Sequence, residues 1–193
     1  MDARSVVFKN RGALLAAPAL LLVVLGKPSA ASILAGLPLA FGGEALRCWA
    51  VGYSGKTTRD ASVTAPDLVT AGPYAYVRNP LYVGNFVTAL GFAIAFTGNN
   101  PPAGRLALVG ASLGAMLAVY ATIVPHEERY LRATFGARYD EYAKRVPRAF
   151  PRSTPSEPQN GSYDPGVIPA AESRTFVTFA LVLAALGLKA LFG

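Results

Sequence analysis

Long apolar runs alternate with short charged segments along the chain, and the gaps between charged residues outline candidate membrane helices. Crossing a bilayer takes roughly 20 apolar residues in a helix. The pattern predicts an all-α integral membrane protein with about five transmembrane helices, organised as a single membrane domain over residues 1–193. The predicted spans are approximately 12–26, 29–53, 80–97, 105–124 and 175–192.

The first apolar run has two interpretations. Three basic residues precede it and small residues follow at 29–31, as in a secretory signal peptide with its cleavage site. A second apolar run begins almost at once, so the Gly-Lys-Pro sequence at 26–28 favours the tight turn of a helical hairpin.

Basic residues are distributed asymmetrically between the spans. Three (Arg4, Lys9 and Arg11) precede the first span, three (Lys56, Arg59 and Arg78) separate the second from the third, and eight lie between Arg129 and Arg174. Only Lys27, Arg105 and Lys189 fall on the opposite side. Because short cytoplasmic segments carry the excess of Lys and Arg, the N-terminus and both long polar segments are predicted to face the cytoplasm.

The polar segments differ in character. Residues 54–79 are predicted to form a loop with short helices at most, and residues 152–173 a proline-rich linker of low structural content. Residues 125–151 contain apolar positions at helical spacing, which predicts an amphipathic segment bent or split at Gly136. Those apolar positions are Leu131, Phe135, Tyr139, Tyr142 and Val146.

The composition agrees with membrane integration. Hydrophobic residues make up 52% of the chain and charged residues only 15%. In soluble domains, charged residues make up roughly a quarter of the sequence. Such apolar content excludes intrinsic disorder, and the single Cys48 excludes a disulfide scaffold. The net charge of +7 fits a protein that faces anionic lipid, so no nucleic-acid partner is expected.

Several common kinds of active site have no matching motif. The chain contains no glycine fingerprint, P-loop, or paired Cys and His at metal-ligand spacing, so neither a Rossmann fold nor a metal site is expected. His126 is the only histidine, and no serine lies in a nucleophile elbow, which argues against serine hydrolase chemistry.

The first unusual polar cluster lies at the start of the third span, in residues 68–85. There a Gly-Pro turn and two tyrosines precede Arg78-Asn79-Pro80. Pro80 suits the first turn of a helix, and Asn79 is predicted to cap that helix, whose free N–H groups attract anions. In the alternative interpretation, Arg78 contacts lipid phosphates and the tyrosines form an aromatic belt at the membrane surface.

Two further clusters contain acids. Glu127 and Glu128 follow the fourth span, and their side chains point about 100° apart on a helix, so one can face a bound cation while the other faces water. Alternatively, both only complement a helix dipole. In the second span, Glu44 and Arg47 are spaced to form a same-face pair that is either functional or a brace for the bundle.

In their order and spacing, these residues resemble the isoprenylcysteine carboxyl methyltransferase family and its phospholipid methyltransferase relatives. The resemblance covers roughly residues 44–151 and implies S-adenosylmethionine, bound in a small cytoplasmic region formed by residues 54–79 and 125–151. It rests on residues 68–84, Glu127-Glu128, Phe135-Gly136, Tyr139, Tyr142 and Val146-Pro147-Arg148.

The resemblance also implies a set of site residues. The cofactor-binding positions would be Asp67, Leu68, Val69, Gly72, Tyr74, Asn79, Pro80, Leu81, Tyr82, Glu127 and Glu128. One of the two acids would bind the amino group of the cofactor. The predicted catalytic residues are Arg78, Asn79 and Glu128, and the predicted substrate-binding residues are Glu44, Arg47 and Arg145.

The implied reaction is transfer of a methyl group to a lipophilic acceptor, such as a prenylcysteine-like carboxylate, at the cytoplasmic face of the membrane. Displacement at a sulfonium requires mainly alignment and exclusion of water. A carboxylate is already ionised at neutral pH, and we expect Arg78 with Asn79 to orient it. An amine acceptor would instead use Glu127 or Glu128 as its base.

Three other functions stay open at this point. The first is a phospholipid or amine N-methyltransferase, the second an NADPH-dependent membrane reductase of the sterol type, and the third a non-catalytic scaffold. The expected location is the inner (plasma) membrane of a bacterium, as a multi-pass protein. The expected partners are the lipid bilayer and a lipophilic or prenylated acceptor, with no obligate protein partner.

Overall fold

The computed structural model describes the backbone of residues 3–55 and 65–192, and the side chains of residues 14–55 and 65–192. Lys56 and Arg59, used above for orientation, lie outside the described residues, as do the side chains of Arg4, Lys9 and Arg11. The described residues form helices and loops with no strand, which confirms the all-α prediction for that part of the chain. The helices are α1 (Ala3–Leu25), α2 (Ala30–Ser54), α3 (Pro80–Phe96), α4 (Pro102–Phe135), α5 (Ala137–Arg145) and α6 (Ile168–Phe192).

The long helices form a bundle with two distinct ends. The turns at 26–29 and 97–101 meet at one end, the turn end, while residues 65–79 and 136–167 form the other, the polar end. α2 and α3 make the most extensive contact, α1 lies against α4, and α6 contacts α2 and α1. Residues predicted to share the cytoplasmic side therefore lie together wherever the structure describes them.

Small residues allow α2 and α3 to approach closely. Gly36 of α2 faces Gly91 of α3, and Ala40 lies beside both of them. The Thr88 hydroxyl donates to the Ala40 carbonyl oxygen at 3.3 Å. Such small-residue contacts hold helices together in membranes, where apolar burial between helices gains little.

Gly91 provides a direct test of this contact. In Gly91→Leu, the new Cβ would lie 2.6 Å from the Gly36 carbonyl oxygen, so the helices must separate. We expect a loss of about 2 kcal/mol of stability, measured by thermal unfolding in one detergent. Gly110→Leu on α4 is the matched control, because a Cβ there meets no atom within 4 Å. If the two variants unfold at the same temperature, this account of the α2–α3 contact is wrong.

The turn end is fixed by two asparagines and a lysine. The Asn99 amide donates to the Pro28 carbonyl oxygen at 2.8 Å, and the Asn100 amide to that of Leu25 at 3.0 Å. The Lys189 ammonium, near the end of α6, donates to the carbonyl oxygens of Val24 and Gly26 at 3.0 Å and 2.7 Å. The bonds to Val24 and Leu25 satisfy carbonyl groups in the last turn of α1, and the bonds to Gly26 and Pro28 hold the turn that follows it.

α4 is longer than the predicted span 105–124. It continues without a break through Pro125 to Phe135, and its 34 residues extend about 51 Å. Pro125 removes one N–H donor, but the following residues keep a helical apolar pattern that packs on other elements. The helix ends at Gly136, whose φ of 54° favours glycine, and α5 begins immediately afterwards. The prediction of a split at Gly136 is confirmed.

The segment predicted as a linker, residues 152–173, has more structure than its composition indicates. α6 begins at Ile168, ahead of the predicted start at 175. Residues 152–164, which we call the strap, lie along residues 70–76 and are bound to them through backbone atoms. The backbone N–H of Ser156 donates to the Ala75 carbonyl oxygen at 2.9 Å, and that of Thr70 to the Asn160 carbonyl oxygen at 2.8 Å.

Two helices among the described residues are long and apolar enough to cross a membrane, namely α4 and the stretch Pro165–Phe192 that contains α6. Leu14–Leu25 and Pro80–Phe96 are shorter apolar helices. Large apolar side chains, including Leu34, Leu106 and Leu181, are exposed on the outside of the bundle. Exposed apolar surface on several helices indicates a membrane protein, because a soluble protein rarely leaves such surface in water.

Candidate functional site

The loop at 65–79 is held in place by α5. Leu68 packs with Tyr139, Tyr142 and Val146, and the Tyr142 hydroxyl donates to the Tyr74 carbonyl oxygen at 2.8 Å. Burial raises the pKa of Tyr142, so this hydroxyl stays a donor at neutral pH. The predicted apolar face of the 125–151 segment is therefore confirmed, and its role is to support the loop.

Gly72 is required by the course of this loop. Its φ is 60°, and a Cβ at this position would overlap the ring of Tyr53 on α2. The short 3-10 helix Gly72–Ala75 begins here and directs Tyr74 toward the end of the bundle. A side chain at position 72 would therefore displace the loop from α2.

α3 begins where the sequence predicts, with Pro80 in its first turn. Asn79 occupies the cap position, but its side chain makes no capping bond, so that detail of the prediction is wrong. Instead, the Asn79 amide donates to the Arg148 carbonyl oxygen at 3.0 Å, and the Arg78 backbone N–H donates to Pro147 at 2.9 Å. The Asn79 side chain thus joins the start of α3 to the segment after α5.

Glu128 forms a cluster with two arginines. Its side chain is 6% exposed, and both of its oxygens accept from the Arg148 Nε at 3.1 Å. The Arg78 Nε lies 3.6 Å from the same carboxylate, with the Arg78 side chain only 13% exposed. The largely buried Arg78 side chain therefore faces Glu128 and does not contact lipid phosphates. Two guanidinium groups face one carboxylate, so the cluster carries a surplus positive charge.

Glu127 points to a different neighbour. The Tyr82 hydroxyl donates to its Oε1 at 2.7 Å, and the Tyr82 ring packs on the ring of Tyr120 at 4.5 Å between centroids. The two adjacent acids thus face different groups, as their angular separation on a helix predicts. Glu127 lies beside a pair of aromatic rings, whereas Glu128 lies between cations.

The Tyr74 hydroxyl lies close to several of these groups. Burial raises its pKa to about 12; a hydrogen bond with Ser54 lowers it, the charge of Glu127 raises it, and that of Arg47 lowers it. Tyr74 therefore remains a neutral hydrogen-bonding group at physiological pH. Its position brings the loop, α2 and α4 to a common point at the polar end.

Asp67 is exposed and anchors the strap. Its carboxylate accepts from the Asn160 amide at 2.8 Å and from the Leu68 backbone N–H at 2.7 Å. These two bonds, the first of them the larger influence, lower the pKa of Asp67. Gln159 of the strap accepts from the Gly72 backbone N–H at 3.3 Å. The strap thus covers one side of the loop whose residues are predicted to contact the cofactor.

Arg47 and Glu44 form the predicted same-face pair, with the Arg47 Nε 3.7 Å from Glu44. The same guanidinium bonds Asn85 on α3, and its Nη2 donates to both oxygens of Glu172 on α6 at 2.9 Å and 2.8 Å. Glu44, Arg47 and Glu172 are all buried. This cluster joins α2, α3 and α6.

The predicted site residues lie in three places, one of which is the buried pair Glu44 and Arg47 on α2. Most lie around the loop and the facing turn of α4, whereas Arg145 is exposed at the end of α5, with its carbonyl oxygen accepting from Arg152. The loop group comprises Asp67, Leu68, Val69, Gly72, Tyr74, Arg78, Asn79, Pro80, Leu81, Tyr82, Glu127 and Glu128.

Sequence reasoning missed three contributors. Glu172 stood in the predicted linker, three residues before the fifth span, so it did not give the signal of an ionisable residue inside a membrane helix that identified Glu44. Asn85 lies at the end of the quoted motif without a predicted role. Asn160, in the strap, carried no signal, because its bonds join residues ninety positions apart.

Residues 31–138, more than half of the chain, match the family described as phospholipid methyltransferase. A protein-S-isoprenylcysteine O-methyltransferase of Schizosaccharomyces pombe is 39% identical over 84 residues, which are 44% of this chain and 33% of that protein. A nickel-cobalt-cadmium resistance protein of Alcaligenes xylosoxydans xylosoxydans is 40% identical over 86 residues, 45% of this chain and 37% of that protein.

Protein-S-isoprenylcysteine O-methyltransferase B of Arabidopsis thaliana is 32% identical over 120 residues, which are 60% of this chain and 57% of that protein. The chain therefore spans between a third and three fifths of the length of these relatives. No solved structure matches the chain. Among the described residues, no group of three His, Cys, Asp or Glu side chains is placed to bind a metal ion.

Proposed function

The chain belongs to the phospholipid methyltransferase family, and from this we propose that it is an integral membrane methyltransferase that uses S-adenosylmethionine. The observation that carries the proposal is the pair of adjacent acids on α4, of which Glu127 faces aromatic rings and Glu128 faces two arginines. The names of the isoprenylcysteine O-methyltransferase relatives support the same reaction class.

Five spans follow from assigning α1, α2, α3, α4 and α6 to the bilayer. In this arrangement the polar end faces the cytoplasm of a bacterium and the turn end faces the outside. The rule that basic residues favour the cytoplasmic side supports this orientation, since few of the described basic residues, namely Lys27, Arg105 and Lys189, lie at the turn end. α4 then extends about 20 Å beyond a hydrocarbon layer of roughly 30 Å, which carries the acidic pair out of the membrane.

The residues at the polar end suit S-adenosylmethionine. Its cationic amino group fits the Glu127 carboxylate, which lies beside the aromatic rings of Tyr82 and Tyr120. Its carboxylate, or that of an acceptor, fits the surplus positive charge of Arg78 and Arg148. Tyr74 and Tyr82 add aromatic surface on the loop side. Glu128 is already held by two guanidinium groups, so we assign the amino group to Glu127.

S-adenosylmethionine supplies, when bound, a methyl group on a positively charged sulfur. In this chain, Arg78 and Asn79 would orient the oxygen or nitrogen that accepts the methyl group, and Glu127 would hold the amino group of the cofactor. Holding the two reactants in line is the main source of rate in such a displacement. The strap, which covers one side of the loop, would help to exclude water there.

We propose a carboxylate on a lipophilic molecule, such as a prenylcysteine, as the acceptor. A carboxylate is ionised at neutral pH and complements the cationic pair Arg78 and Arg148 without any base. Its hydrocarbon tail would lie in the bilayer, since the site lies where the apolar helices α3 and α4 meet the polar end. A prenylated acceptor and the bilayer itself are then the partners.

Cofactor binding gives the first test. Calorimetry in detergent should detect S-adenosylmethionine and S-adenosylhomocysteine but not NADPH. Glu127→Gln should weaken both affinities roughly tenfold, because it removes a charged partner of the amino group. The control is Glu141→Gln, an exposed acid on α5. A preference for NADPH, or binding that is indifferent to Glu127, would contradict the proposal.

The acceptor class is tested with purified protein and radiolabelled S-adenosylmethionine. One arm supplies a farnesylated cysteine with a free carboxylate, and the other supplies phosphatidylethanolamine in vesicles. Label that is released by mild base identifies a methyl ester and supports the carboxylate. If label on the phospholipid instead resists base, the acceptor is an amine, and the proposal of a carboxylate acceptor is wrong.

A further inference from the structure

Glu172 lies in the second turn of α6 and is completely buried, although the outer face of that helix is exposed. Both of its oxygens accept from the Nη2 of Arg47, at 2.9 Å and 2.8 Å. A charge-assisted contact of this kind fixes both side chains. Because Glu172 lies outside residues 31–138, α6 contributes this acid from beyond the part of the chain that matches the family.

The Arg47 guanidinium contacts side chains on α2, α3 and α6, with hydrogen bonds from Nη1 and Nη2 and a longer ion-pair contact from Nε. Nη1 bonds the Asn85 side chain on α3, Nε faces Glu44 on α2, and Nη2 bonds Glu172 and approaches the Thr175 hydroxyl at 3.5 Å. The planar guanidinium presents its donors in a rigid fork, so its orientation is set by all partners together. Holding Nη2 on α6 therefore determines where Nη1 meets α3.

The Arg47 cluster lies directly beside the proposed cofactor-binding residues. Asn85 follows Tyr82 by one helical turn, and Tyr82 donates to Glu127. Gly84 lies between them against Arg47, and a Cβ there would lie 2.8 Å from the Arg47 Cγ. The charges of Arg47 and Glu127 also act on the same Tyr74 hydroxyl. A shift of Arg47 would therefore reach Tyr82, Glu127 and Tyr74.

The charge balance of the cluster makes Glu172 replaceable without loss of the fold. Two carboxylates, Glu44 and Glu172, face one guanidinium. Replacing Glu172 by glutamine leaves Arg47 with the carboxylate of Glu44, so the buried guanidinium keeps a counter-charge. The guanidinium then loses the charged, two-oxygen partner on α6, since glutamine offers only one neutral oxygen, and it keeps the longer contact with Glu44 on α2.

We propose that Glu172 is a positioning residue for the cofactor site, which orients Arg47 and through it the wall formed by Asn85 and Tyr82. This inference rests on the proposed function. It makes α6 part of the working site rather than only a membrane anchor, and it assigns Arg47 an indirect role in place of direct substrate binding.

The test uses the full chain in detergent with three variants, Glu172→Gln, Glu172→Asp and, as the control on the same helix, the exposed Arg174→Gln. S-adenosylhomocysteine affinity is measured by calorimetry, and the melting midpoint is measured without ligand. The emission of Trp49, the single tryptophan and two residues from Arg47, reports local packing. We expect Glu172→Gln to weaken binding about tenfold, with Glu172→Asp recovering part of the loss and the melting midpoint within a few degrees of the control.

Each other outcome overturns the inference. Equal affinity of Glu172→Gln and the control would show that Arg47 needs no acid on α6 to serve the site. A large fall in melting midpoint and a changed Trp49 emission, with no recovery in Glu172→Asp, would reduce Glu172 to a structural brace. If the unaltered protein binds neither S-adenosylmethionine nor its product, the proposed function itself fails, and this inference fails with it.

Discussion

Replacing Arg78 by alanine is expected to lower methyl transfer about 100-fold while leaving the affinity for S-adenosylhomocysteine within a few-fold. The proposed reason is that Arg78 orients the acceptor, whereas Glu127, which points about 100° away from Glu128 on α4, holds the amino group of the cofactor. The fold should survive, because Glu128 keeps its contact with Arg148. Turnover is measured with saturating cofactor and varied acceptor.

The control is Arg129→Ala, which removes an exposed arginine from the same end of the molecule. Arg78→Lys separates charge from geometry, since lysine keeps the charge but lacks the planar fork that matches a carboxylate. We expect it to recover only part of the activity. Unchanged turnover in Arg78→Ala would remove Arg78 from the mechanism, and an equal loss of cofactor affinity would move it to the cofactor site.

Replacing Glu128 by alanine is expected to have the largest effect on stability. The change leaves two guanidinium groups facing each other with no carboxylate between them. Removing one partner of a buried ion pair lowers the free energy of unfolding by about 3–5 kcal/mol. Because the Arg148 side chain is 53% exposed, water screens part of that loss, and we expect a value near the lower limit, about 3 kcal/mol.

The measurement is thermal unfolding in detergent, with Glu141→Ala on the exposed face of α5 as the control. The double variant Glu128→Ala with Arg148→Ala should recover part of the stability, because it relieves the repulsion between the two cations. If Glu128→Ala melts like the control, the three-residue cluster does not support the polar end. Recovery by the double variant would confirm that the loss arises from uncompensated charge.

Helix positions were predictable where the sequence contains a local signal. The start of α3 follows from the fixed φ and the missing N–H of Pro80. The break after α4 follows from Gly136, because glycine adopts a positive φ more readily than any other residue. The continuation of α4 through Pro125 was not predictable, because one lost backbone bond is outweighed by packing on distant residues. Local sequence does not specify that packing.

The candidate site was predictable only in part for the same reason. The spacing of Glu44 and Arg47 on one helix gave their contact, since helical geometry alone brings them together. The contact of Arg47 with Glu172 joins residues 125 positions apart and depends on how α6 returns to α2. Likewise, the prolines of the strap exclude a helix correctly but leave open whether the segment is anchored.

α6 is attached to the bundle mainly at two charged points, Glu172 at one end and Lys189 at the other. Of the residues between them, few are buried; Phe179 and Leu186 face the bundle. The position of α6 along the bundle is therefore set by these two charged contacts and by the narrow row of buried side chains between them. The remaining apolar positions of α6 can change identity among Leu, Ile, Val and Phe with little effect, which makes this helix a suitable place for a probe or a fused segment.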